Sequence, residues 1–201
     1  MGKFFVVVSL LCAPAMSMEQ PPLLVSIAGV LKQIFRASDA VSLGIVDKDA
    51  KTGMSIQVKS ETGELCLGPS LPLGFNRKIY VSYYMSSKVA VLHPREDFRV
   101  LAIIDLFREG SKFGAGPLQP VLIADKVWVT HQFDSRISII DPNTYERVTL
   151  EVGRWPEMPT LNGAFVEVFN VEDKTTSYID PNELYVVGTY KKGLAQHQVL
   201  N

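Results

Sequence analysis

Residues 78–100, KIYVSYYMSSKVAVLHPREDFRV, and residues 126–148, KVWVTHQFDSRISIIDPNTYERV, align without a gap at an offset of 48. Lys126 falls on Lys78, Val129 on Val81, Ser135 on Ser87, Pro142 on Pro94, Arg147 on Arg99 and Val148 on Val100. Trp128 falls on Tyr80 and Arg136 on Lys88. Upstream, Gly116-Pro117-x-x-Pro120 repeats Gly68-Pro69-x-x-Pro72. A fixed period of about 20–50 residues is the mark of a repeat architecture, so whatever one unit folds into, the chain must stack at least two of them.

The unit has a readable plan. A Gly-Pro-x-x-Pro stretch leads into a short apolar run, and a polar turn such as Ala124-Asp125 follows. Then come KVWV and ISII, rich in β-branched and aromatic residues; an Asp-Pro-Asn turn precedes RVTLEV, Arg147 to Val152. Four short runs bounded by turn residues predict four strands. The runs are too short and too β-branched for the three-and-four spacing of a helical solenoid. Four strands in ~40–50 residues make a propeller blade. The predicted fold is therefore all-β, a β-propeller of ~48-residue four-stranded antiparallel blades, with clear repeats at 68–115 and 116–163.

The text "KIYVSYYMSSKVAVLHP" and "KVWVTHQFDSRISIIDPNTYERVTLEVG" resembles the YVTN-type β-propeller repeat. IYVS and VWVT stand for its Tyr-Val-Thr-Asn-like strand and ISIID for its Val-x-Val-Ile-Asp strand; Val152-Gly153 followed by Pro156 restates the start of a next blade. The resemblance covers residues 68–156. It implies a bacterial or archaeal extracytoplasmic propeller, related in shape to lactonase-like and amine-dehydrogenase-heavy-chain-like propellers. It carries over no catalytic residue, because the repeat pattern is a packing motif.

Two more copies are worn. Glu183-Leu-Tyr-Val-Val resembles KVWVT at an offset of 57, which places nine extra residues within 163–182. Upstream, Gly44-Ile-Val-Asp-Lys-Asp-Ala50 resembles IIDPNT, with Asp47 lying 94 positions before Asp141. The alternative for residues 21–64 is a separate β-rich cap. At this period the span 23–201 holds three to four blades, so the propeller is expected to be incomplete, since complete rings usually have about 4–8.

The first 17 residues are of another kind. Lys3, the apolar run Phe4 to Leu11, and the small residues Ala13, Ala15 and Ser17 predict a secretory signal peptide over 1–17, cut after Ala15 or Ser17. The competing reading is a buried first strand around Val6-Val7-Val8. The apolar run is too short to span a bilayer, so no membrane span is expected. A signal implies a periplasmic or extracellular location. Its removal takes Cys12 and leaves Cys66 as the one thiol, which gives no internal disulfide. A buried structural Cys66 fits better than a nucleophile, since no base is paired with it.

A net charge of −1 provides no electrostatic footprint for nucleic acid. No nucleophile elbow and no Gly-rich phosphate loop is present; Gly114-Ala115-Gly116 precedes a strand with no helix after it. His93 takes the turn position of Asp141. His131 and Asp134 offer two metal ligands where a site needs three or four. The reading therefore includes no cofactor and no metal, and leaves the catalytic residues unknown.

Propeller geometry does bring equivalent loops to one face. Residues 83–87, 131–135 and 188–192 are placed at one such position, so Tyr83, Tyr84, His131, Phe133, Asp134 and Tyr190 become the candidate binding residues for a protein or small-molecule ligand. The plainer reading is that some of these pack between blades, as Tyr80 and Trp128 are expected to do. Two functions follow: a binding or interaction module using this face, or a lactonase-like hydrolase or quinone-linked dehydrogenase subunit whose site lies partly outside this chain. Propellers host both, so fold alone does not choose.

Overall fold

The structure is a computed structural model that describes residues 53–94 and 98–191, together with strands at Leu23–Ile27, Val30–Arg36 and Ser42–Asp47; side chains are described from Gln57 onward. The proposed signal peptide lies outside the described residues.

Among the described residues, sixteen strands form four antiparallel four-stranded sheets, each ordered as the chain runs. The first sheet is β1 (Leu23–Ile27), β2 (Val30–Arg36), β3 (Ser42–Asp47) and β4 (Gly53–Gln57). The second is β5 (Leu73–Phe75), β6 (Lys78–Tyr83), β7 (Lys88–Leu92) and β8 (Val100–Asp105). The third is β9 (Val121–Ile123), β10 (Lys126–His131), β11 (Arg136–Ile140) and β12 (Arg147–Glu151). The fourth is β13 (Thr160–Asn162), β14 (Phe165–Asn170), β15 (Thr175–Asp180) and β16 (Tyr185–Lys191). Their first strands adjoin, β1 beside β5 and β5 beside β9, as blades do around a propeller axis.

The turns explain the strand boundaries. Asn76-Arg77 and Ala124-Asp125 each have both residues at positive φ (48° and 55°, 47° and 56°), the two-residue hairpin turn whose twist matches the strands it joins. The next hairpin is longer. Its four-residue turn ends on a left-handed residue in three blades, Ser87, Ser135 and Lys174. Asp141 Oδ1 accepts from the Asn143 and Thr144 amides at 2.8 and 3.2 Å, and Asp180 does the same for Asn182 and Glu183 at 2.8 and 3.1 Å. Short polar side chains closing their own backbone in this way define Asp-Pro-Asn as a turn.

Gly44–Asp47 lies in β3, the third strand of the first sheet, as ISII lies in β11, the third strand of its own, which is where the worn upstream copy places it. One expectation is corrected. Residues 183–187 do not match KVWVT, because Tyr185–Lys191 is a fourth strand, the counterpart of β12. The counterpart of β10 is β14, 39 positions on, so this unit is nine residues shorter than its neighbour and four sheets fit. The difference lies mostly in the connectors, residues 106–120 against residues 152–159. The Gly188–Lys192 stretch thus begins inside β16; the turn equivalent to residues 84–87 and 132–135 is residues 171–174.

Strand alternation sorts the cores into seams between sheets. Ile79, Val81 and Tyr83 pack with Val58 and Cys66. Tyr80, Val89, Val91 and Leu106 meet Val127, Val129 and Ile140 in the next seam. Trp128, Ile137 and Ile139 meet Val166, Val168 and Ile179 in the one after. Tyr80 and Trp128 are fully buried as expected, with Tyr80 donating to the Pro142 carbonyl at 3.4 Å and Trp128 Nε1 to the Ile123 carbonyl at 3.0 Å.

Candidate functional site

Antiparallel order fixes which loops share a face: the turn after each second strand and the connector leading out of each fourth strand emerge at the same end. On this face the connectors run back beside the turns. Tyr84 and Met85 amides donate to the Gly68 and Leu67 carbonyls, Gln132 and Phe133 to Gly116 and Ala115, Val171 and Glu172 to Trp155 and Arg154. Pro69, Pro117 and Pro156 each bridge to the last residue of the adjacent second strand, Tyr83, His131 and Asn170.

Those three residues are fully buried, which corrects the expectation that Tyr83 and His131 are open to a ligand on this face. The bridging prolines explain it: the connector closes over the strand end and seals its side chain into a seam. Alternation sends Tyr83 toward Val58 and Cys66, His131 to the side of β10 that carries Val127 and Val129 into the next seam, and Asn170 to the side of β14 that carries Val166 and Val168 into the one after. Tyr83 and His131 therefore occupy equivalent positions without sharing a site. Each carries a buried polar atom with no hydrogen-bond partner in the structure: Tyr83 Oη, both ring nitrogens of His131, and Asn170 Oδ1. Burial pushes the Tyr83 phenol well above its ordinary range.

What does reach the surface is aromatic. Phe133 stands at the centre of three edge-on ring contacts: Tyr84 at 5.2 Å, Trp155 at 6.0 Å and Phe113 at 6.5 Å between centroids. Phe113 is 72% exposed, Trp155 46% and Phe133 39%, with Met85 alongside at 70%. Tyr84 is half-buried and its hydroxyl donates to Gln132 Oε1 at 2.9 Å, tying two neighbouring turns together. The Phe133 ring lies so close over Gly116 that a Cβ there would meet it at 2.6 Å, and Gly116 has a φ of +57°. Trp155 occupies the corresponding backbone position of the next blade at a φ of +55°, where it adds a ring to the cluster. Beside it opens a shallow cleft of about 380 Å³, lined by the connector residues 108–113 and by Phe133, Asp134 and Ser135.

Asp134 lies under the turn. Its carboxylate is held by both Arg136 Nε, at 2.8 Å, and Arg136 Nη2, and His131 Nδ1 stands 3.6 Å from its Oδ1, beyond hydrogen-bond reach. Burial would raise the Asp134 carboxyl, but Arg136 and His131 outweigh it and hold the group below its ordinary value. For His131 burial dominates and lowers the pKa; Asp134 opposes this, and Arg136 and Arg147 reinforce it. Among the described residues no group of three or more His, Cys, Asp or Glu is placed to hold a metal. Tyr190 lies at the turn end of the fourth sheet, in β16 opposite Thr176, and packs on Tyr178 at 6.0 Å, not on Phe133. Sequence reasoning missed Phe113, Trp155 and Asn170. The 39-residue offset, visible as Asp-Pro-Asn at both 141–143 and 180–182, is the signal that finds the last two.

Antiparallel four-stranded blades arranged in series define a β-propeller, and the solved structures agree. The chain is similar to a catalytically inactive virginiamycin B lyase from Staphylococcus aureus with quinupristin (TM-score 0.63, 13% identity, 89% of this chain and 57% of that one). It is similar also to a streptogramin B lyase (TM-score 0.61, 18% identity, 84% and 53%) and to BamB from Moraxella catarrhalis (TM-score 0.57, 11% identity, 92% and 54%). The chain spans about half the length of each. At these identities the likeness establishes fold alone. No protein-family profile matches the chain, and no curated protein matches it in sequence. No helix among the described residues is long and apolar enough to cross a membrane.

Proposed function

We propose that residues 23–201 belong to a YVTN-type propeller, secreted or periplasmic, that acts as a binding module for a protein or small-molecule ligand through its turn-and-connector face. The observation that carries this is the exposed aromatic cluster. Four rings from two turns and two connectors, drawn from three successive blades, converge around Phe133. Exposed apolar patches rimmed by polar groups mark interaction sites, and aromatic anchors dominate their energetics. Tyr84, Phe133, Phe113 and Trp155 are the contact residues in this reading, with Asp134 and His131 supporting the turn from below. Tyr83 is left out because it is sealed in a seam, and Tyr190 because it packs on Tyr178 in the fourth sheet and makes no ring contact with the cluster. The location rests on the leader-like residues 1–17 and the repeat text.

A thermal-shift screen of a small-molecule and peptide library tests this on the purified chain. Compounds that raise the melting temperature of the native protein should lose about tenfold or more in affinity with Phe113→Ala and with Trp155→Ala, while both variants keep the unliganded melting temperature near its starting value. Ligands that bind both variants as well as the native chain would place the site elsewhere.

A further inference from the structure

We propose that His131 is a proton-operated latch for the aromatic face: taking up a proton unseats the 132–135 turn and dismantles the cluster around Phe133. This rests on the binding role of that face, and it adds regulation to it.

The geometry is that of a group poised to change partners. His131 is the last residue of β10, fully buried, with neither ring nitrogen hydrogen-bonded. The one carboxylate beside it, Asp134 three residues on, is already committed to Arg136 through both its oxygens. The other ionisable groups acting on the ring are cations, Arg136 from β11 and Arg147 from β12. On the facing sheet Lys88 and Asp105 satisfy each other at 2.6 Å, and on the connector Arg108 is paired with Glu151 at 3.1 Å. A neutral imidazole sits quietly in this setting.

An imidazolium does not. Protonation creates a buried cation with two N–H donors, next to two guanidinium groups and one carboxylate whose two oxygens each already accept from Arg136. With its one carboxylate 3.6 Å away and shared with Arg136, the buried charge is poorly compensated, and the surroundings move first. The nearest relief is for Asp134 to turn toward Nδ1, closing 3.6 Å to hydrogen-bond distance and loosening its hold on Arg136. Asp134 is the neighbour of Phe133 in a four-residue turn, and Arg136 Nη2 also reaches the Leu106 carbonyl at 3.4 Å, at the root of the connector that carries Phe113. One proton therefore acts on both supports of the cluster at once. Burial already disfavours the charged ring, so the latch is closed at neutral pH and opens in mild acid.

Trp155, whose ring touches Phe133, reports the event without any ligand. The chain has two tryptophans, and subtracting the signal of a Trp155→Phe variant isolates this one. On titration from neutral pH downward its emission should pass through a single-proton transition, set below the ordinary imidazole range by burial, while far-UV circular dichroism stays native. His131→Gln and His131→Phe should each abolish the transition, His93→Gln should keep it, and Asp134→Asn should move its midpoint to lower pH by removing the carboxylate that receives the new cation. The latch is overturned if no transition precedes acid unfolding, if it survives in a folded His131 variant, or if Asp134→Asn leaves the midpoint in place. Should both His131 variants unfold, the Asp134→Asn midpoint decides. A transition without any ligand that senses Phe113 or Trp155 would leave the latch standing and remove the binding role; the reverse result would do the opposite.

Discussion

The sheets β9–β12 and β13–β16 share strand order, the register of their first two hairpins and even the same Asp-Pro-Asn turn, though a bulge at Tyr178-Ile179 shifts the last pair; yet they live in different surroundings. In β10 every residue after Lys126 is buried, on both faces. In β14 burial alternates: Val166, Val168 and Asn170 are covered, while Phe165, Glu167 and Phe169 are only half-buried. The central position shows what this does to sequence. Trp128 fills a seam between two sheets in the third blade; its counterpart in the fourth is Glu167, which accepts from Asn162 Nδ2 at 2.9 Å. A repeat fixes backbone pairing, whereas side-chain identity follows from what each face meets.

Substitution at that position should separate the two blades most. Trp128→Ala opens a cavity in a seam and should cost about 3–5 kcal/mol, whereas Glu167→Ala should cost under about 0.5 kcal/mol. Urea unfolding of both variants checks it; equal losses would mean the fourth blade is packed like the third.

The Gly116 and Trp155 pair gives a smaller contrast of opposite sign. Gly116→Ala strains a left-handed residue and pushes on the Phe133 ring, for a loss of about 1–3 kcal/mol. Trp155→Gly relieves the same backbone strain in the next blade and should stabilise by up to about 1 kcal/mol, even as it removes a ring from the face. Differential scanning calorimetry of the two variants reads both signs, and a Trp155→Gly chain less stable than the native one would show that the ring contributes more to folding than the backbone strain costs.

The least contrast is expected at the turns. Asp141→Ala and Asp180→Ala remove the same pair of backbone hydrogen bonds, and each should cost about 0.5–1 kcal/mol. Unequal losses would break the claim that the two turns are copies.

The same comparison explains what could be read from the sequence. The third blade was legible strand by strand, because its turns carry local signals and both faces of its strands are apolar. The fourth is misread by two strands. With Glu167 and Phe169 standing where Trp128 and Thr130 stand, β14 no longer resembles KVWVT, and Glu183-Leu-Tyr-Val-Val resembles it better while lying two strands further on. Chemistry dictated by a covered face was sought on a face that is not covered. Asp-Pro-Asn, whose identity depends on the turn alone, kept the correct register through the change. For the site, periodicity placed Tyr83 and His131 at strand ends but could not show that a proline bridge caps them. The buried fate of both was invisible for that reason. Phe113 lies in the connector where the two units differ in length, so no register aligned it with anything.

That difference in length has a consequence of its own. All the strands keep their pairing whether the connector runs over residues 106–120 or over residues 152–159. Lengthening a surface loop is thermodynamically cheap, about 0.6 kcal/mol for each doubling. The longer connector brings Phe113 and most of the cleft lining; the shorter one brings Trp155. Blade connectors are thus the part of this chain on which variation can act freely. New residues can be inserted, tried and discarded there without disturbing the frame that displays them, so the surface can change while folding stays constant.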